Sequence, residues 1–72
     1  MNILITGGAG FIGSNLSDYL IKTGNVLTIV DDLSSGHQSN LSNISGKIDF
    51  HQEKIEQFNF KKIDKVDAVV HL

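Results

Sequence analysis

A short apolar segment that runs into a cluster of glycines opens the chain, and it constrains the fold more than any other feature. Residues 2–6 are apolar and rich in β-branched side chains, which predicts a buried strand. Glycines crowd residues 7–13, and a helical apolar pattern covers 11–23. A second apolar run, Val26 to Val30, predicts a strand over 25–30 and ends at Asp31. The succession of strand, glycine turn, helix, strand and acid predicts a parallel βαβ unit in an α/β fold.

The glycines of this turn fit two spacings that are typical of dinucleotide sites. Gly8, Gly10 and Gly13 fit G-x-G-x-x-G, while Gly7, Gly10 and Gly13 fit G-x-x-G-x-x-G. Glycine accepts positive φ and leaves room for a diphosphate beside the backbone, and the free N–H groups of the following helix favour an anion. Asp31 lies 18 residues after Gly13, at a strand end from which a carboxylate can accept hydrogen bonds from ribose hydroxyls. We therefore favour a dinucleotide site over a glycine-rich connection followed by a solvated acid.

The charge pattern favours NAD over NADP as the dinucleotide. An acid at the end of the second strand repels a 2′-phosphate, and NADP sites usually carry an arginine nearby. The sequence has no arginine, and no lysine between Lys22 and Lys47.

Composition limits the other function classes. Seventy-two residues allow one small domain, and the absence of cysteine excludes disulfides and thiolate metal sites. The three histidines lack neighbouring ligands at metal-binding spacing, so we expect no metal site. With a net charge of −2 we expect no affinity for nucleic acid or an anionic membrane. We find neither a signal peptide nor an apolar run near the roughly 20 residues of a membrane span, and we expect a cytoplasmic protein.

The first helix is predicted to be amphipathic. Its apolar side chains recur at spacings of three and four: Phe11, Ile12, Leu16, Leu20 and Ile21. Its polar face is predicted to comprise Asn15, Ser17, Asp18 and Lys22.

The second half of the chain carries weaker patterns. Residues 38–45 predict a short helix that turns Leu41 and Ile44 inward and ends at Gly46. Residues 47–51 alternate polar and apolar side chains, as in a strand near a sheet edge.

Two further segments complete the predicted fold. Residues 54–63 predict a loop with a ragged helix, and a nearly continuous apolar run within 66–72 predicts a fourth strand buried on both faces. The loop is expected to bury its apolar side chains, Phe58, Phe60 and Ile63.

Right-handed crossovers then predict one parallel sheet with strand order 3-2-1-4. The switch point falls between strands 1 and 4, so residues 7–13 and Leu72 should flank one crevice, with Asp31 beyond strand 2. Strand 4 would be left as an apolar open edge, and such an edge indicates a fragment of a larger sheet.

Three motifs resemble the extended short-chain dehydrogenase/reductases, the NAD-dependent epimerase/dehydratase family. They are TGGAGFIGS at 6–14, VDDLSSG at 30–36 and VDAVVHL at 66–72, and within the family they are most similar to those of the nucleotide-sugar epimerases. The likeness spans nearly the whole chain but about the first quarter of a typical member. It implies that 1–72 is an NAD-binding fragment, the N-terminal half of a Rossmann-type doubly wound sheet, without the substrate domain and catalytic residues.

The motif and the resemblance together predict the residues that contact NAD. The resemblance implies that Asp31 binds the adenosine ribose and that the loop after it lines the adenine and ribose pocket. The full predicted set is Gly7, Gly10, Phe11, Ile12, Gly13, Asp31, Asp32, Leu33, Ser35, Gly36, Ile55 and Leu72.

One departure from the family pattern concerns the adenine. The family usually has a Gly-Asp-apolar step after strand 3, whose acid approaches the adenine amino group, whereas this chain has Glu53-Lys54-Ile55. Lysine cannot accept that hydrogen bond. Either Glu53 takes over the contact or the contact is lost, and Ile55 is kept as a neighbour of the adenine.

The resemblance also implies the chemistry of a parent enzyme. In it, hydride passes from C4 of a UDP-sugar to NAD and returns to the other face of a 4-keto intermediate, and relatives are often homodimers. Proton transfer there falls to a tyrosine and a lysine four positions later, a spacing that Tyr19 and Lys22 do not match. We assign no catalytic residue and predict that these 72 residues alone are inactive.

Other functions stay open at this point. The parent could be a dehydratase or decarboxylase of another nucleotide sugar in the same family. A non-catalytic NAD-binding module would share the motifs, and an inert βαβ unit would bind nothing.

Overall fold

One four-stranded parallel sheet organises the chain in this computed structural model, which describes residues 1–63 and 65–72. The strands are β1 (Asn2–Thr6), β2 (Val26–Val30), β3 (Ile48–His51) and β4 (Ala68–His71), in the order β3-β2-β1-β4. On β1, Ile5 pairs with Ile29 of β2 on one side and with Val70 of β4 on the other. The predicted class and strand order are confirmed.

The helix α1 (Phe11–Lys22) packs on one face of the sheet through small residues. Gly13 and Ser17 are its buried positions, with Leu20 and Ile21 half-buried beside them. The assignment of Ser17 to the polar face was wrong. Its hydroxyl donates to the Gly13 carbonyl at 2.7 Å, so it can be buried without an unpaired polar group.

The helix also places two large apolar side chains in solvent. Phe11 and Ile12 are 81% and 71% exposed, so the predicted apolar stripe does not include its first two members. They are the first two residues of α1, directly after the glycine turn. Gly24 follows the helix at φ +88, a left-handed conformation that glycine readily adopts after a helix end.

The main core lies between α1 and the sheet. Its buried members include Ile3, Ile5, Leu27 and Ile29. Two more come from the segment after β2, Leu41 and Ile44, which turn inward as predicted.

That segment does not form the single predicted helix. It makes two short 3₁₀ turns, Gln38–Leu41 and Ser45–Lys47, and Gly46 lies within the second turn. Serine and asparagine side chains compete for backbone hydrogen bonds and so oppose a longer helix.

The opposite face of the sheet is covered by residues after β3. Leu4, Val30 and Phe58 form a smaller cluster with Ile55 and Ile63 half-buried against it. The loop there is ragged as predicted, with 3₁₀ turns at Ile55–Gln57 and Phe60–Lys62.

The prediction that Phe60 is buried was wrong. It is 51% exposed, and its ring meets that of Phe58 edge-on with centroids 5.1 Å apart. Phe58 already fills the space above Leu4 and Val30, so Phe60 packs on the outside of the cluster.

The strand β4 forms one edge of the sheet and is buried on one face only. Ala68 and Val70 pack against the main core, whereas Val69 is 59% exposed. The expectation of burial on both faces was therefore wrong for this strand, because no described residue covers the second face. Across the described residues, no helix has the length and apolar character needed to cross a membrane.

Candidate functional site

The carboxyl ends of β1, β2 and β4 open onto a cleft of about 550 Å³, a size typical of small-molecule sites. The cleft lies at the switch point, where the chain leaves β1 towards β2 on one side and β4 returns on the other. Ten of the twelve residues predicted to contact a cofactor line it. They are Gly7, Gly10, Phe11, Ile12, Gly13, Asp31, Asp32, Ser35, Ile55 and Leu72.

Two glycines of the turn are required by the fold itself. Gly7 has φ +77, a conformation that other residues rarely adopt. A Cβ on Gly13 would lie 2.5 Å from the Gly7 carbonyl oxygen and 2.8 Å from the Gly8 Cα. Gly13 therefore allows α1 to pack directly against the turn.

Gly8 resolves the choice between the two motif spacings. A Cβ there would lie 2.5 Å from the Ile29 side chain, so Gly8 packs down onto the sheet. It is not among the residues that line the cleft. The cleft is thus lined by Gly7, Gly10 and Gly13, the members of the G-x-x-G-x-x-G spacing.

Gly10 is the glycine whose missing side chain leaves room in the cleft. The nearest atom to a Cβ at Gly10 is the Gly7 carbonyl oxygen at 3.5 Å, an ordinary contact distance. The helix α1 begins at the next residue, and no side chain among the described residues caps its N-terminus. Its first N–H groups have no acceptor within the helix, so the turn offers donors and space to an anionic group. These features fit a diphosphate.

Asp31 lies at the end of β2, where its carboxylate is held by two backbone donors. The Ala9 N–H donates to Oδ2 at 2.9 Å, and the Leu33 N–H donates to Oδ1 at 2.8 Å. The residue is 8% exposed and lines the cleft. Since a carboxylate can accept about four hydrogen bonds, it retains capacity for a pair of ribose hydroxyls.

The cleft is acidic around Asp31. Asp32, Glu53 and Glu56 line it beside Asp31, and none of the described lining residues is a lysine or arginine. The Ser34 N–H donates to Asp32 Oδ1 at 3.0 Å, and this hydrogen bond lowers the pKa of the Asp32 carboxyl. This part of the cleft suits an uncharged sugar better than a phosphate.

Two predicted contact residues lie behind the cleft. Leu33 has φ +63, its N–H is engaged by Asp31, and its side chain packs against the main core. Gly36 is buried against the peptide that joins Ala9 to Gly10. Both residues pack behind the residues that line the cleft, and their direct contact with a cofactor stays a prediction.

Sequence reasoning missed several residues of the cleft. Glu53 entered only as an alternative, and the unpredicted lining residues are Thr6, Val30, Ser34, Glu56 and His71. The Thr6 hydroxyl and His71 Nδ1 share a hydrogen bond of 2.6 Å. Thr6 and His71 could have been found from their positions in the sequence. Each is the last residue of its strand, and the two strands are parallel neighbours.

With this geometry in place, comparison with known proteins assigns the family. Residues 3–72 match the NAD dependent epimerase/dehydratase family. The chain belongs to this family. It is 44% identical over 68 residues to UDP-glucose 4-epimerase of Mycolicibacterium smegmatis, which covers 94% of this chain and 19% of the relative. The chain thus spans about a fifth of the length of that protein.

Solved structures of the family share the same arrangement. UDP-glucose 4-epimerase from Thermotoga maritima, solved with UDP-glucose, superposes with a TM-score of 0.87 and 41% identity over all of this chain and 24% of its own. The dTDP-glucose 4,6-dehydratase from Bacillus anthracis, solved with NAD, gives a TM-score of 0.87 at 33% identity over 99% of this chain and 26% of its own. The Rossmann-type fold predicted from the sequence is confirmed.

Proposed function

We propose that residues 1–72 are the NAD-binding part of a nucleotide-sugar epimerase that acts at C4 of UDP-glucose. The observation that carries this proposal is that an uncapped, glycine-lined helix start and the Asp31 carboxylate line the same cleft. The first suits the diphosphate of NAD and the second its adenosine ribose. The relatives named above support the choice of a nucleotide sugar as substrate.

The roles of the chain's own residues follow from their places. The backbone of Gly10 to Gly13 holds the diphosphate, with Gly10 leaving the room it needs. Asp31 accepts hydrogen bonds from the ribose hydroxyls, and Ser35 and Ile55, which also line the cleft, contact the adenosine. When bound, NAD supplies the acceptor and donor of the hydride at sugar C4. We assign no catalytic residue within this chain.

The acidic part of the cleft supports NAD over NADP. A 2′-phosphate on the ribose would lie beside Asp31 and Asp32, with Glu53 and Glu56 on the same rim. The like charges of the phosphate and of these carboxylates would repel each other. The described lining residues include no lysine or arginine to offset this repulsion.

The wider setting is also part of the proposal. Inversion at C4 interconverts glucose and galactose, so we place the enzyme in galactose metabolism. We propose a cytoplasmic enzyme that acts as a homodimer and binds neither nucleic acid nor membrane, which the net charge of −2 and the family resemblance support.

The test is turnover by the full-length protein, meaning the enzyme of which residues 1–72 are the proposed NAD-binding part, supplied with NAD. UDP-glucose should be converted to UDP-galactose without net consumption of NAD, as followed by sugar proton NMR. Conversion of dTDP-glucose or UDP-glucuronate instead would assign it to the dehydratases or decarboxylases. NAD binding without turnover of any of these sugars would indicate a non-catalytic module.

A further inference from the structure

Ala9, in the middle of the glycine turn, is held through both its backbone N–H and its carbonyl by residues that are distant in the sequence. Its N–H donates to Asp31 Oδ2 at 2.9 Å. Its carbonyl accepts from the His37 N–H at 3.1 Å and from Asn40 Nδ2 at 2.9 Å. Ala9 itself has no exposed surface, so these partners replace water at the turn.

The same segment also limits where the turn can move. A Cβ on Gly36 would lie 2.7 Å from the Ala9 carbonyl carbon and 2.9 Å from the Gly10 nitrogen. The backbone at Gly36 therefore lies directly against the peptide that leads into α1. A shift of that peptide towards Gly36 is blocked, while the hydrogen bonds to Ala9 oppose a shift away.

The backbone of Asn40, whose side chain contacts the Ala9 carbonyl, is itself held in place. It belongs to the 3₁₀ turn Gln38–Leu41, and its N–H donates to the His37 carbonyl at 2.9 Å. The next residue, Leu41, is only 2% exposed and fixes the turn in the main core. The Asn40 side chain thus links this 3₁₀ turn, anchored in the core by Leu41, to the glycine turn.

We propose that Asn40 is a positioning residue that fixes the glycine turn, through the Ala9 carbonyl, in the shape that receives the diphosphate. This inference rests on the proposed function. Asn40 does not line the cleft, so it acts on the nucleotide only through the turn. The orientation of the peptide that joins Ala9 to Gly10 sets where the first N–H groups of α1 point, and these are the proposed diphosphate donors.

The role predicts an effect that depends on the ligand. Replacing Asn40 should weaken the binding of ligands that carry phosphates and leave the binding of adenosine unchanged. A loss of one hydrogen bond corresponds to about a fivefold change in the dissociation constant. If the role of Asn40 were purely structural, its replacement would weaken the binding of both kinds of ligand equally or of neither.

The substitution to make is Asn40→Asp, which keeps the shape of the side chain but replaces the amide donor with an acceptor. The matched control is Asn43→Asp, which makes the same charge change three residues along the chain. Asn43 is also exposed, and its side chain makes no hydrogen bond in the described part of the chain. Both are tested in the full-length protein by calorimetric titration with ADP and with adenosine.

We expect the dissociation constant for ADP to rise about fivefold in Asn40→Asp and to stay unchanged in Asn43→Asp. In the free protein, amide hydrogen exchange at Ala9 and Gly10 should quicken in Asn40→Asp alone. Equal weakening of ADP and adenosine, or no change in that exchange, would overturn the positioning role. If the unsubstituted protein binds neither ADP nor NAD, the proposed function itself is wrong.

Discussion

The Asp31 carboxylate accepts a hydrogen bond from the Ala9 N–H at 2.9 Å, across 22 residues of sequence. It thereby ties the end of β2 to the glycine turn that follows β1. The proposed ribose ligand is therefore also an element of the fold. Its substitution should change stability as well as binding, and the two effects must be measured separately.

Removing this carboxylate should be costly in both respects. Asp31→Ala leaves the N–H groups of Ala9 and Leu33 without their acceptor, and the free energy of unfolding should fall by about 2 kcal/mol. The affinity for NAD should fall by roughly tenfold or more through loss of the ribose contact. Urea denaturation and calorimetry of the full-length protein measure the two effects.

The control for this substitution is Asp32→Ala. Asp32 is exposed and adjacent, and its loss should leave the unfolding free energy nearly unchanged. An unchanged dissociation constant for NAD in Asp31→Ala would show that the ribose assignment is wrong.

Gly10 and Gly13 should separate binding from folding. At Gly10 the backbone is extended and a Cβ meets nothing closer than 3.5 Å, so Gly10→Ala should keep its stability and lose NAD affinity about tenfold. Gly13→Ala would drive a Cβ to 2.5 Å from the Gly7 carbonyl oxygen, and should be destabilised by about 1–3 kcal/mol. The measurements are thermal unfolding and NAD titration. Full NAD affinity in Gly10→Ala would place the diphosphate elsewhere.

The acidic part of the cleft should discriminate between the two dinucleotides. We expect NADP to bind at least about tenfold more weakly than NAD at low salt, because its 2′-phosphate meets Asp31 and Asp32. Salt screens this repulsion, so the ratio of the two dissociation constants should fall as salt is raised. A ratio near one at low salt would contradict the account.

Glu53 should report on the adenine. It lines the cleft together with Ile55, whereas Lys54 does not. If Glu53 accepts from the adenine amino group, the protein should prefer NAD over its hypoxanthine analogue by about fivefold. Glu53→Ala should abolish that preference, and Glu56→Ala, another acid of the rim, should keep it. Retention of the preference in Glu53→Ala would show that the adenine is held by other residues.

The pH dependence of Asp32 follows from its hydrogen bond with the Ser34 N–H. That bond favours the charged carboxylate and holds its pKa below the ordinary aspartate value of about 3.9. The ordering of residues 32–34 by this contact should be complete above the ordinary value, and lost as the pH falls through the lowered one. Carbon-detected NMR of the carboxyl group should give a midpoint below that of an aspartate in an unstructured peptide. A midpoint at or above it would contradict the hydrogen bond.

The parts of the fold that follow from local pattern could be predicted from the sequence. A parallel sheet of order 3-2-1-4 follows from the strand and helix periods, the glycine turn and the crossover rule. The predicted bounds of the four strands and of α1 agree with the observed ones within two residues. Asp31, the acid at the end of β2, could also be predicted from local pattern. Its chain position relative to Gly13 implies its place at the cleft.

What local pattern cannot give is which partner a residue finds across the fold. Ser17 has a polar side chain in a polar-looking stripe, and only its bond to the Gly13 carbonyl explains its burial. Phe60 and Phe58 are equally apolar, yet there is room for one of them above Leu4 and Val30. The contact of Asn40 with Ala9 spans 31 residues and has no local signature.

The central claim is that one cleft binds the diphosphate at the glycine turn and the adenosine ribose at Asp31. Its most direct test is an NMR titration of the full-length protein, freed of nucleotide, with NAD. We predict that the amide signals of residues 10–13 and of the loop that starts at Asp31 shift together, saturating at one NAD per chain. Saturable binding that leaves either segment unperturbed, or no binding by the folded protein, would contradict the account.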